Sequence, residues 1–229
     1  MSEAALTTLA AAIDHTLLRP EATRQQIRNL CAQARQWGFA AVCVNPLWVE
    51  EAAGLLSGSG VKVASVLAFP LGALPSEAKA REAQDLCRRG AQELDVVVSL
   101  GLLLGGEDEA FQQDLAAVVG VAREHGALVK AILETGLLSE EQKARAASFA
   151  VAAGVDFLKT STGFLGSGAT VEDVALLRRL APVSVGVKAS GGIRSFAQAR
   201  AMLAAGASRL GTSAGVEIME QAQAWYAKP

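Results

Sequence analysis

Cysteine, histidine and aromatic residues are scarce in this chain of 229 residues, which has three cysteines, two histidines and 5% aromatic residues. Cys31, Cys43 and Cys87 lie far apart and form no C-x-x-C pair, so neither a disulfide framework nor a site of paired cysteine ligands is indicated. His15 and His125 are also distant in sequence. We therefore expect no metal ion, no other cofactor, and reduced thiols in a cytoplasmic protein.

Strong charge of either sign and long apolar runs are missing as well. The formal net charge is −2 and no basic tract is present, which argues against nucleic acid as a partner. No apolar run reaches the roughly 18 residues that a membrane span needs. Residues 1–12 carry Glu3 and lack the basic start of a signal peptide. We therefore expect neither a nucleic-acid nor a membrane partner.

Apolar residues make up 51% of the chain, and 22 glycines divide it. A helix, a closing glycine and an apolar strand recur at Gly38, Gly90, Gly126, Gly154 and Gly206. With a short strand over residues 13–18, eight strands are predicted, each followed by a helix. Crossover helices require parallel strands. The pattern predicts one domain over residues 1–229, a (β/α)₈ TIM barrel with a short extra N-terminal helix over residues 2–12.

A doubly wound open α/β sheet is the alternative if the strand over residues 13–18 does not exist. Helix starts are predicted from capping signals in either case. The predicted capping boxes are Thr23 with Gln26 and Ser139 with Gln142, and the other predicted caps are Ser76, Asp108, Thr170 and Ser195. The strand before Ser195 is predicted over residues 183–190.

Charged residues interrupt several of the predicted apolar strands. Lys130, Lys159 and Lys188 lie in three successive strands, and Asp95 lies in the strand before them. A buried ammonium is costly because desolvation disfavours its charge. Each lysine must therefore be paired or partly neutral. A structural ion-pair network and a reactive amine are both open at this point.

The reactive amine has a clear chemical logic. An unperturbed lysine pKa of about 10.4 leaves well under a thousandth of the amine neutral at pH 7. Desolvation and a neighbouring ammonium both lower the pKa, so two lysines on adjacent strands suit a Schiff-base enzyme. A carboxylate such as Asp95 could move its protons. In contrast, Lys62 at a strand start is predicted to be solvated, and Lys79 and Lys143 are predicted to be on the surface.

Polar, glycine-rich turns follow the last three predicted strands. Backbone amides, hydroxyls and a helix N-terminus suit a phosphate, and TIM barrels usually hold phosphate at the loops after strands seven and eight. The turns are Ser161-Thr162-Gly163, Ser190-Gly191-Gly192 and Gly211-Thr212-Ser213. We therefore expect a phosphorylated ligand. His15, Asp14 and Asn45 could also line the site, whereas Cys43 is expected to be a buried thiol.

Six segments of the chain resemble the deoxyribose-phosphate aldolase family. They are Ile13-Asp14-His15-Thr16-Leu17-Leu18, Val42-Cys43-Val44-Asn45-Pro46, Glu93-Leu94-Asp95-Val96-Val97-Val98, Ile132-Leu133-Glu134-Thr135-Gly136, Lys159-Thr160-Ser161-Thr162-Gly163-Phe164 and Val187-Lys188-Ala189-Ser190-Gly191-Gly192-Ile193-Arg194. The K-T-S-T-G and K-A-S-G-G-I-R pair is specific to this family. The resemblance runs over roughly residues 13–213.

The resemblance implies a (β/α)₈ barrel and class I aldol chemistry in deoxyribonucleotide catabolism. The family reversibly cleaves 2-deoxy-D-ribose 5-phosphate to D-glyceraldehyde 3-phosphate and acetaldehyde. A phosphorylated sugar and an aldehyde are then the partners, and a homo-oligomer of two or four chains is expected.

The resemblance also implies roles for individual residues. Lys159 resembles the Schiff-base lysine, Lys188 the second lysine that lowers its pKa, and Asp95 the carboxylate that shuttles protons with a water. The implied supporting residues are Lys130, Glu134, Asp14, Cys43, Asn45 and Thr162, with Lys130 and Glu134 in the charge network. The implied phosphate-binding residues are Gly163, Gly191, Gly192, Gly211 and Ser213.

Two positions depart from the family pattern. Some members have a lysine where Phe164 stands, so phosphate binding here would rest on amides, hydroxyls and Arg194, and non-phosphorylated aldehydes are expected to be tolerated. Some members end in a tyrosine that reaches the active site, whereas Tyr226 is followed here by Ala-Lys-Pro. A transaldolase or ketose-phosphate aldolase, and a phosphate-binding barrel without catalysis, are the competing hypotheses.

Overall fold

The computed structural model describes residues 2–227 and contains eight parallel strands. They are β1 (Ile13–Leu17), β2 (Ala41–Val44), β3 (Lys62–Leu67), β4 (Glu93–Val97), β5 (Leu128–Ile132), β6 (Phe157–Lys159), β7 (Gly186–Ser190) and β8 (Arg209–Thr212). The strands pair in chain order and β8 pairs with β1, so the barrel is closed. The predicted TIM barrel is confirmed, and the open sheet is excluded because β1 exists and is hydrogen-bonded on both sides.

Helices surround the barrel. They are α1 (Ser2–Ala10), α2 (Arg24–Trp37), α3 (Val49–Leu56), α4 (Ser76–Arg88), α5 (Leu100–Gly105), α6 (Asp108–Glu124), α7 (Glu140–Ala152), α8 (Val171–Leu180), α9 (Phe196–Ala204) and α10 (Gly215–Tyr226). Short 3₁₀ helices over Pro46–Trp48 and Thr135–Leu137 precede α3 and α7. The expected extra N-terminal helix is α1, which packs against α10. None of these helices, within the part of the chain described, is long and apolar enough to cross a membrane.

Most of the predicted helix starts are confirmed by their hydrogen bonds. The capping boxes at Thr23 and Ser139 are both formed, and Thr170 and Ser195 accept the backbone N–H groups of Asp173 and Gln198. The predictions for two others are wrong by one residue. Ser76 and Asp108 are the first residues of α4 and α6, after the caps Pro75 and Glu107. Asp108 still favours the helix start because a carboxylate in the first turn complements the helix dipole.

The strand predicted over residues 183–190 begins at Gly186, three residues late. Val183 is fully exposed in a turn. The guanidinium of Arg178 explains this turn, because it donates hydrogen bonds to the carbonyls of Ala181, Pro182 and Val185 at 2.8, 2.7 and 2.9 Å. Those carbonyls are therefore satisfied without a strand partner.

The barrel interior is divided into an apolar part and an ionic part. The apolar part is a small buried cluster formed by Leu18 and the inward-facing residues Ala41, Cys43, Ala64 and Val66 of β2 and β3. The much larger apolar core lies between the barrel and the helices. The remaining strands contribute the charged residues of the interior, and these form the candidate functional site.

Lys79 was predicted to be on the surface, and this prediction is wrong. Its ammonium is fully buried between α4 and α6 and donates to Asp114 Oδ2 at 2.6 Å, Ser99 Oγ at 2.7 Å and the carbonyl of Val97 at 3.1 Å. Lys143 is also mostly buried, and its ammonium pairs with Asp173 at 2.6 Å. The acidic partner of each lysine lies on another helix. The local sequence around each lysine therefore did not indicate the ion pair.

The Lys79→Met variant should be strongly destabilised, because it leaves the buried Asp114 carboxylate without its counter-charge. We expect a loss of about 3–5 kcal/mol in the free energy of unfolding, measured by urea denaturation followed by circular dichroism. The double variant Lys79→Met, Asp114→Leu should recover most of this loss, since neither charge is then buried alone. A double variant less stable than Lys79→Met would contradict the assignment.

Candidate active site

Charged side chains from five strands converge inside the barrel. They are Asp14 of β1, Asp95 of β4, Lys130 of β5, Lys159 of β6 and Lys188 of β7, and each is at most 3% exposed. The strand register places Asp95 level with Lys130 and Lys159 level with Lys188. Because the strands are parallel and adjacent, equal parity in each strand brings all five side chains to the same interior volume.

The carboxylate of Asp95 is the centre of this group. It accepts hydrogen bonds from Lys159 and Lys188 at Oδ2, both at 2.7 Å, and from Lys130 at Oδ1, also at 2.7 Å. Three ammonium groups thus share one buried carboxylate. The structure therefore brings together the residues that the sequence placed on separate strands.

Asp14 supports the group from β1. Its Oδ2 accepts a hydrogen bond from Lys188, its Oδ1 accepts one from Arg209 at 2.7 Å, and Lys130 lies 3.7 Å from Oδ2. Lys188 therefore has two carboxylate partners, whereas Lys159 has only Asp95 within the described range.

This difference separates the protonation of the lysines. Burial, together with the Lys188 ammonium, lowers the pKa of Lys159, although Asp95 opposes both. Burial also disfavours the charge of Lys188, but Asp14 and Asp95 outweigh it and raise the pKa of Lys188 above its usual value. The pKa of Lys130 is raised in the same way, chiefly by Asp95. Lys159 is thus the member of the group that gives up its proton most readily.

The two aspartates remain ionised despite burial. Burial by itself raises the pKa of a carboxyl group. For Asp95 the three lysines outweigh burial and hold the pKa well below its usual range. Lys188, Lys130 and Arg209 have the same effect on the pKa of Asp14. Both carboxylates can therefore accept protons only transiently.

Glu134, expected in the charge network, interacts electrostatically with Lys159 but is not ion-paired to it. Its Oε2 accepts hydrogen bonds from the hydroxyl and the backbone N–H of Thr162, the latter at 3.2 Å, and it forms no ion pair with any of residues 2–227. Burial raises its pKa. The backbone of Glu134 is left-handed, with φ at 53°, a conformation that is strained for glutamate. Glu134 and Thr162 thus fix the turn that follows Lys159.

A cavity of about 710 Å³ opens at the carboxyl ends of the strands, and Lys159 is among the residues that line it. The expected phosphate-binding residues line the same cavity, namely Gly163, Gly191, Gly192, Gly211 and Ser213. Thr162, Ser190 and Arg194 lie beside them. The hydroxyl of Ser190 donates to the carbonyl of Ser161 at 2.6 Å and ties the β6 and β7 turns together. Lys159 and the polar turns therefore face one volume.

Glycine is required at two of these positions for lack of space. A Cβ atom on Gly191, where φ is 91°, would lie 2.9 Å from the Cα of Gly168. A Cβ atom on Gly211 would lie 2.8 Å from the Cβ of Ser190 and 3.1 Å from the Cε of Lys188. Gly211 thus leaves the room that Lys188 occupies.

Of three other expected site residues, His15 lines the cavity, whereas Cys43 and Asn45 are not among its lining residues. Cys43 is buried among apolar side chains, and burial raises the pKa of its thiol to about 11, so it is a poor nucleophile. Asn45 donates to the carbonyl of Leu18 at 3.0 Å and fixes the loop after β1. His15 lines the cavity, bonds to Gln33 at 2.9 Å, and has a pKa lowered by burial.

Among residues 2–227, no group of three His, Cys, Asp or Glu side chains is arranged to hold a metal ion. Tyr226 packs against Phe196 and Trp225, with ring centroids 6.0 and 4.9 Å away, and contributes to a small cavity with α1 and α9. It is not among the residues that line the large cavity. Residues 228–229 lie outside the described part of the chain.

Sequence reasoning missed two members of the ionic group, Glu93 and Arg209. Glu93 contacts Lys130 at 2.6 Å, and Arg209 bonds to both Asp14 and Glu93. Glu93 has the same parity as Asp95 in β4, which was the available signal. Glu93 and Arg209 are each the first residue of a strand. Lys62 has the same kind of position and was predicted to be solvated for that reason. Lys62 is indeed exposed.

Comparison with known proteins agrees with this geometry. A family model described as "DeoC/LacD family aldolase" matches residues 8–221. The chain is 53% identical over 212 residues to a deoxyribose-phosphate aldolase of Geobacillus sp. (strain WCH70), covering 93% of this chain and 95% of that protein. It is 52% identical over 217 residues to that of Thermococcus gammatolerans, covering 94% and 96%.

A solved structure agrees as well. The deoxyribose phosphate aldolase of Aeropyrum pernix, described as tetrameric, superimposes with a TM-score of 0.89 at 40% identity, covering 95% of this chain and 92% of that one. The family model spans far more than half of the sequence. This chain belongs to the DeoC/LacD aldolase family.

Proposed function

We propose that this chain is a class I aldolase that reversibly cleaves 2-deoxy-D-ribose 5-phosphate to D-glyceraldehyde 3-phosphate and acetaldehyde, with Lys159 as the Schiff-base residue. One observation carries the assignment of Lys159. Of the three lysines that share Asp95, it alone lines the cavity, and it alone has a lowered pKa. The relatives that match over more than nine-tenths of this chain are deoxyribose-phosphate aldolases.

The substrate would be held by its phosphate at the far side of the cavity. The turns containing Gly163, Gly191 and Gly192 offer backbone amides, Ser213 offers a hydroxyl, and Arg194 lies at the cavity wall. An anion bound there directs the other end of the open-chain sugar, its C1 aldehyde, toward Lys159. Holding the C1 aldehyde close to Nζ of Lys159 makes the bimolecular reaction effectively unimolecular.

The first half of the reaction forms the Schiff base. The neutral Nζ of Lys159 attacks C1 of the open-chain sugar, and the carbinolamine loses water to give an iminium ion. The C3 hydroxyl then loses its proton, the C2–C3 bond breaks, and its electron pair forms the C1–C2 double bond of an enamine. Glyceraldehyde 3-phosphate leaves at this step. The iminium nitrogen is the electron sink that makes the carbon–carbon bond labile.

The second half releases acetaldehyde. A proton adds to C2 of the enamine, water adds to C1 of the resulting iminium ion, and the bond to Nζ breaks. Asp95 and Lys188 lie beside Nζ, so a carboxylate and an ammonium are both in place to relay protons. The charge of Lys188 also keeps the pKa of Lys159 low between turnovers. A purely structural ion-pair network would not require a low-pKa lysine at the cavity.

The assembly and location of the chain are further parts of the proposal. A homo-oligomer of two or four copies of this single-domain chain is supported by the relative from Aeropyrum pernix, which is described as tetrameric. A cytoplasmic location is supported by the three cysteines, each of which is free in the structure.

Borohydride trapping should label Lys159. The protein is incubated with acetaldehyde and then reduced, and the added ethyl group is located by peptide mass mapping. We expect a single adduct on Lys159, because its low pKa supplies neutral amine at neutral pH. In the Lys159→Ala variant the adduct should be absent. The cleavage rate should fall by at least about a thousandfold, since covalent catalysis is lost.

Lys62 provides the matched control, because it is an exposed lysine in the same barrel. The Lys62→Ala variant should retain both the adduct and the activity. Adducts spread over exposed lysines, with none on Lys159, would reject the assignment.

The chain should tolerate substrates without a phosphate, because Phe164 adds no charge to the phosphate turns. Its ring packs edge-on against Phe69, with centroids 5.1 Å apart, and lines the cavity. We expect kcat/KM for deoxyribose and its 5-phosphate to differ much less than a thousandfold. The Phe164→Lys variant should increase the preference for the phosphate about tenfold, the effect of roughly one added ion pair.

Phe164→Met is the control for this experiment, since it changes the shape without adding charge. It should leave the preference for the phosphate near that of the unaltered protein. A thousandfold preference in the unaltered protein, or equal effects of lysine and methionine, would count against the role of Phe164.

A further inference from the structure

Two charged residues that the proposed mechanism does not use lie beneath the site lysines. Glu93 precedes Asp95 by two residues in β4 and points into the barrel on the same face. Arg209 is level with Lys188 in the pairing of β7 with β8. Glu93 is 2% exposed, and its carboxylate lies 3.1 Å from the guanidinium of Arg209, whose charged group also stacks over the ring of Phe157 at 5.4 Å.

These residues complete a closed ring of alternating charge. The order around the ring is Asp95, Lys188, Asp14, Arg209, Glu93, Lys130 and back to Asp95. Lys188 is hydrogen-bonded directly to Asp14, and the other five contacts measure between 2.6 and 3.1 Å. We call these six side chains the charge ring.

The charge ring is neutral when all its members are ionised, since it holds three carboxylates and three cations. Lys159 is not a member of the charge ring and contacts it only through Asp95. The carboxylate of Asp95 is also ion-paired with Lys130 and Lys188. An ammonium on Lys159 therefore adds one positive charge that no carboxylate of its own balances. Loss of that proton makes the whole cluster neutral.

The other groups that face Lys159 among the described residues form no ion pair with it. Burial raises the pKa of the Cys43 thiol, which keeps it uncharged at neutral pH. Glu134 accepts its hydrogen bonds from Thr162, and burial raises its pKa even though Thr162 and the Lys159 ammonium act to lower it. The inward-facing residues of β2 and β3, Ala41, Ala64 and Val66, carry no charge.

We propose that Glu93 and Arg209 are positioning residues that close the charge ring from the amino-terminal end of the barrel and set the balance between the neutral and the charged form of Lys159, with Arg209 favouring the neutral amine and Glu93 opposing it. This inference rests on the proposed role of Lys159 as the Schiff-base residue. Neither residue touches the substrate. Each acts through its neighbours: Arg209 holds Asp14 against Lys188, and Glu93 holds Lys130 against Asp95.

The effect should be large enough to measure. A unit charge about 10 Å from an amine, at an effective dielectric constant of about 20, shifts the pKa by about one unit. Removing the cation Arg209 leaves the surroundings of Lys159 more negative, which stabilises the ammonium and raises its pKa. Removing the anion Glu93 leaves the surroundings more positive and lowers that pKa. The two changes must therefore act in opposite directions.

The experiment measures the rate of borohydride trapping of acetaldehyde on Lys159 as a function of pH, together with the pH profile of kcat/KM. The acidic limb reports the ionisation of Lys159. We expect Arg209→Met to move this limb about one unit to higher pH, which slows trapping about tenfold at a pH below the limb. Glu93→Gln should move it to lower pH, and the double variant should return it close to its original position.

Two further variants separate charge from packing. Arg209→Lys keeps the positive charge and should restore the position of the limb. Lys62→Met removes a cation from the same end of the barrel, but from an exposed side chain outside the charge ring, and it should leave the limb unchanged.

Shifts in the same direction for Arg209→Met and Glu93→Gln, or lower maximal rates with no shift, would overturn the proposal, because a merely structural role predicts that result. If one of these two variants does not fold, the other tests the proposal by itself. Its acidic limb must then move in the predicted direction, to higher pH for Arg209→Met or to lower pH for Glu93→Gln. The absence of a Lys159 adduct in the unaltered protein would instead reject the proposed function. Normal labelling with unshifted variants would reject only the role of the charge ring.

Discussion

The site depends on one interaction, the convergence of three lysine ammonium groups on the buried carboxylate of Asp95. One carboxylate cannot balance three buried cations. Asp14 and Glu93 supply the missing negative charge for Lys188 and Lys130, whereas Lys159 has no ion-pair partner among the described residues except the shared Asp95. An ammonium in this position is costly because it is both desolvated and unbalanced. The reactivity that we propose for Lys159 therefore depends on the distribution of charge around it rather than on any single neighbour.

Closure of the barrel makes this distribution possible. Asp14 of β1 must meet Lys188 of β7 and Arg209 of β8, and this contact exists only because β8 pairs with β1. In an open sheet these residues would lie at opposite edges. The apolar part of the interior, formed around Cys43 and Val66, borders the ionic part and holds no competing charge. A low-dielectric wall beside the lysines strengthens every electrostatic interaction among them.

The turns at the carboxyl ends of the strands contribute a second, separate requirement, which is space. Gly211 leaves room for the stem of Lys188, and Gly191 allows the loop after β7 to lie against Gly168. The backbone of Glu134 has a strained, left-handed conformation, and its carboxylate accepts a hydrogen bond from Thr162 in the turn after Lys159. Strain of this kind persists where the surrounding contacts determine the geometry. The glycine-rich turns and the amine of Lys159 are thereby held against one cavity.

The sequence alone determined the repeating helix–glycine–strand unit, most of the helix caps and the lysines at Lys130, Lys159 and Lys188, because these follow from local periodicity and capping chemistry. The individual roles of these lysines rest on the resemblance to a family, since spacing alone does not distinguish a reactive lysine from a paired one. Only the tertiary structure decided which charges are buried. Lys62, Glu93 and Arg209 each begin a strand, yet Lys62 is exposed and the other two are not. The register explains this, since Glu93 is level with Ala64, one inward-facing position deeper in the barrel than Lys62. The partners of Lys79 and Glu134 also come from distant segments, and the depth and pairing of a side chain depend on strand stagger and helix packing, which local sequence does not encode.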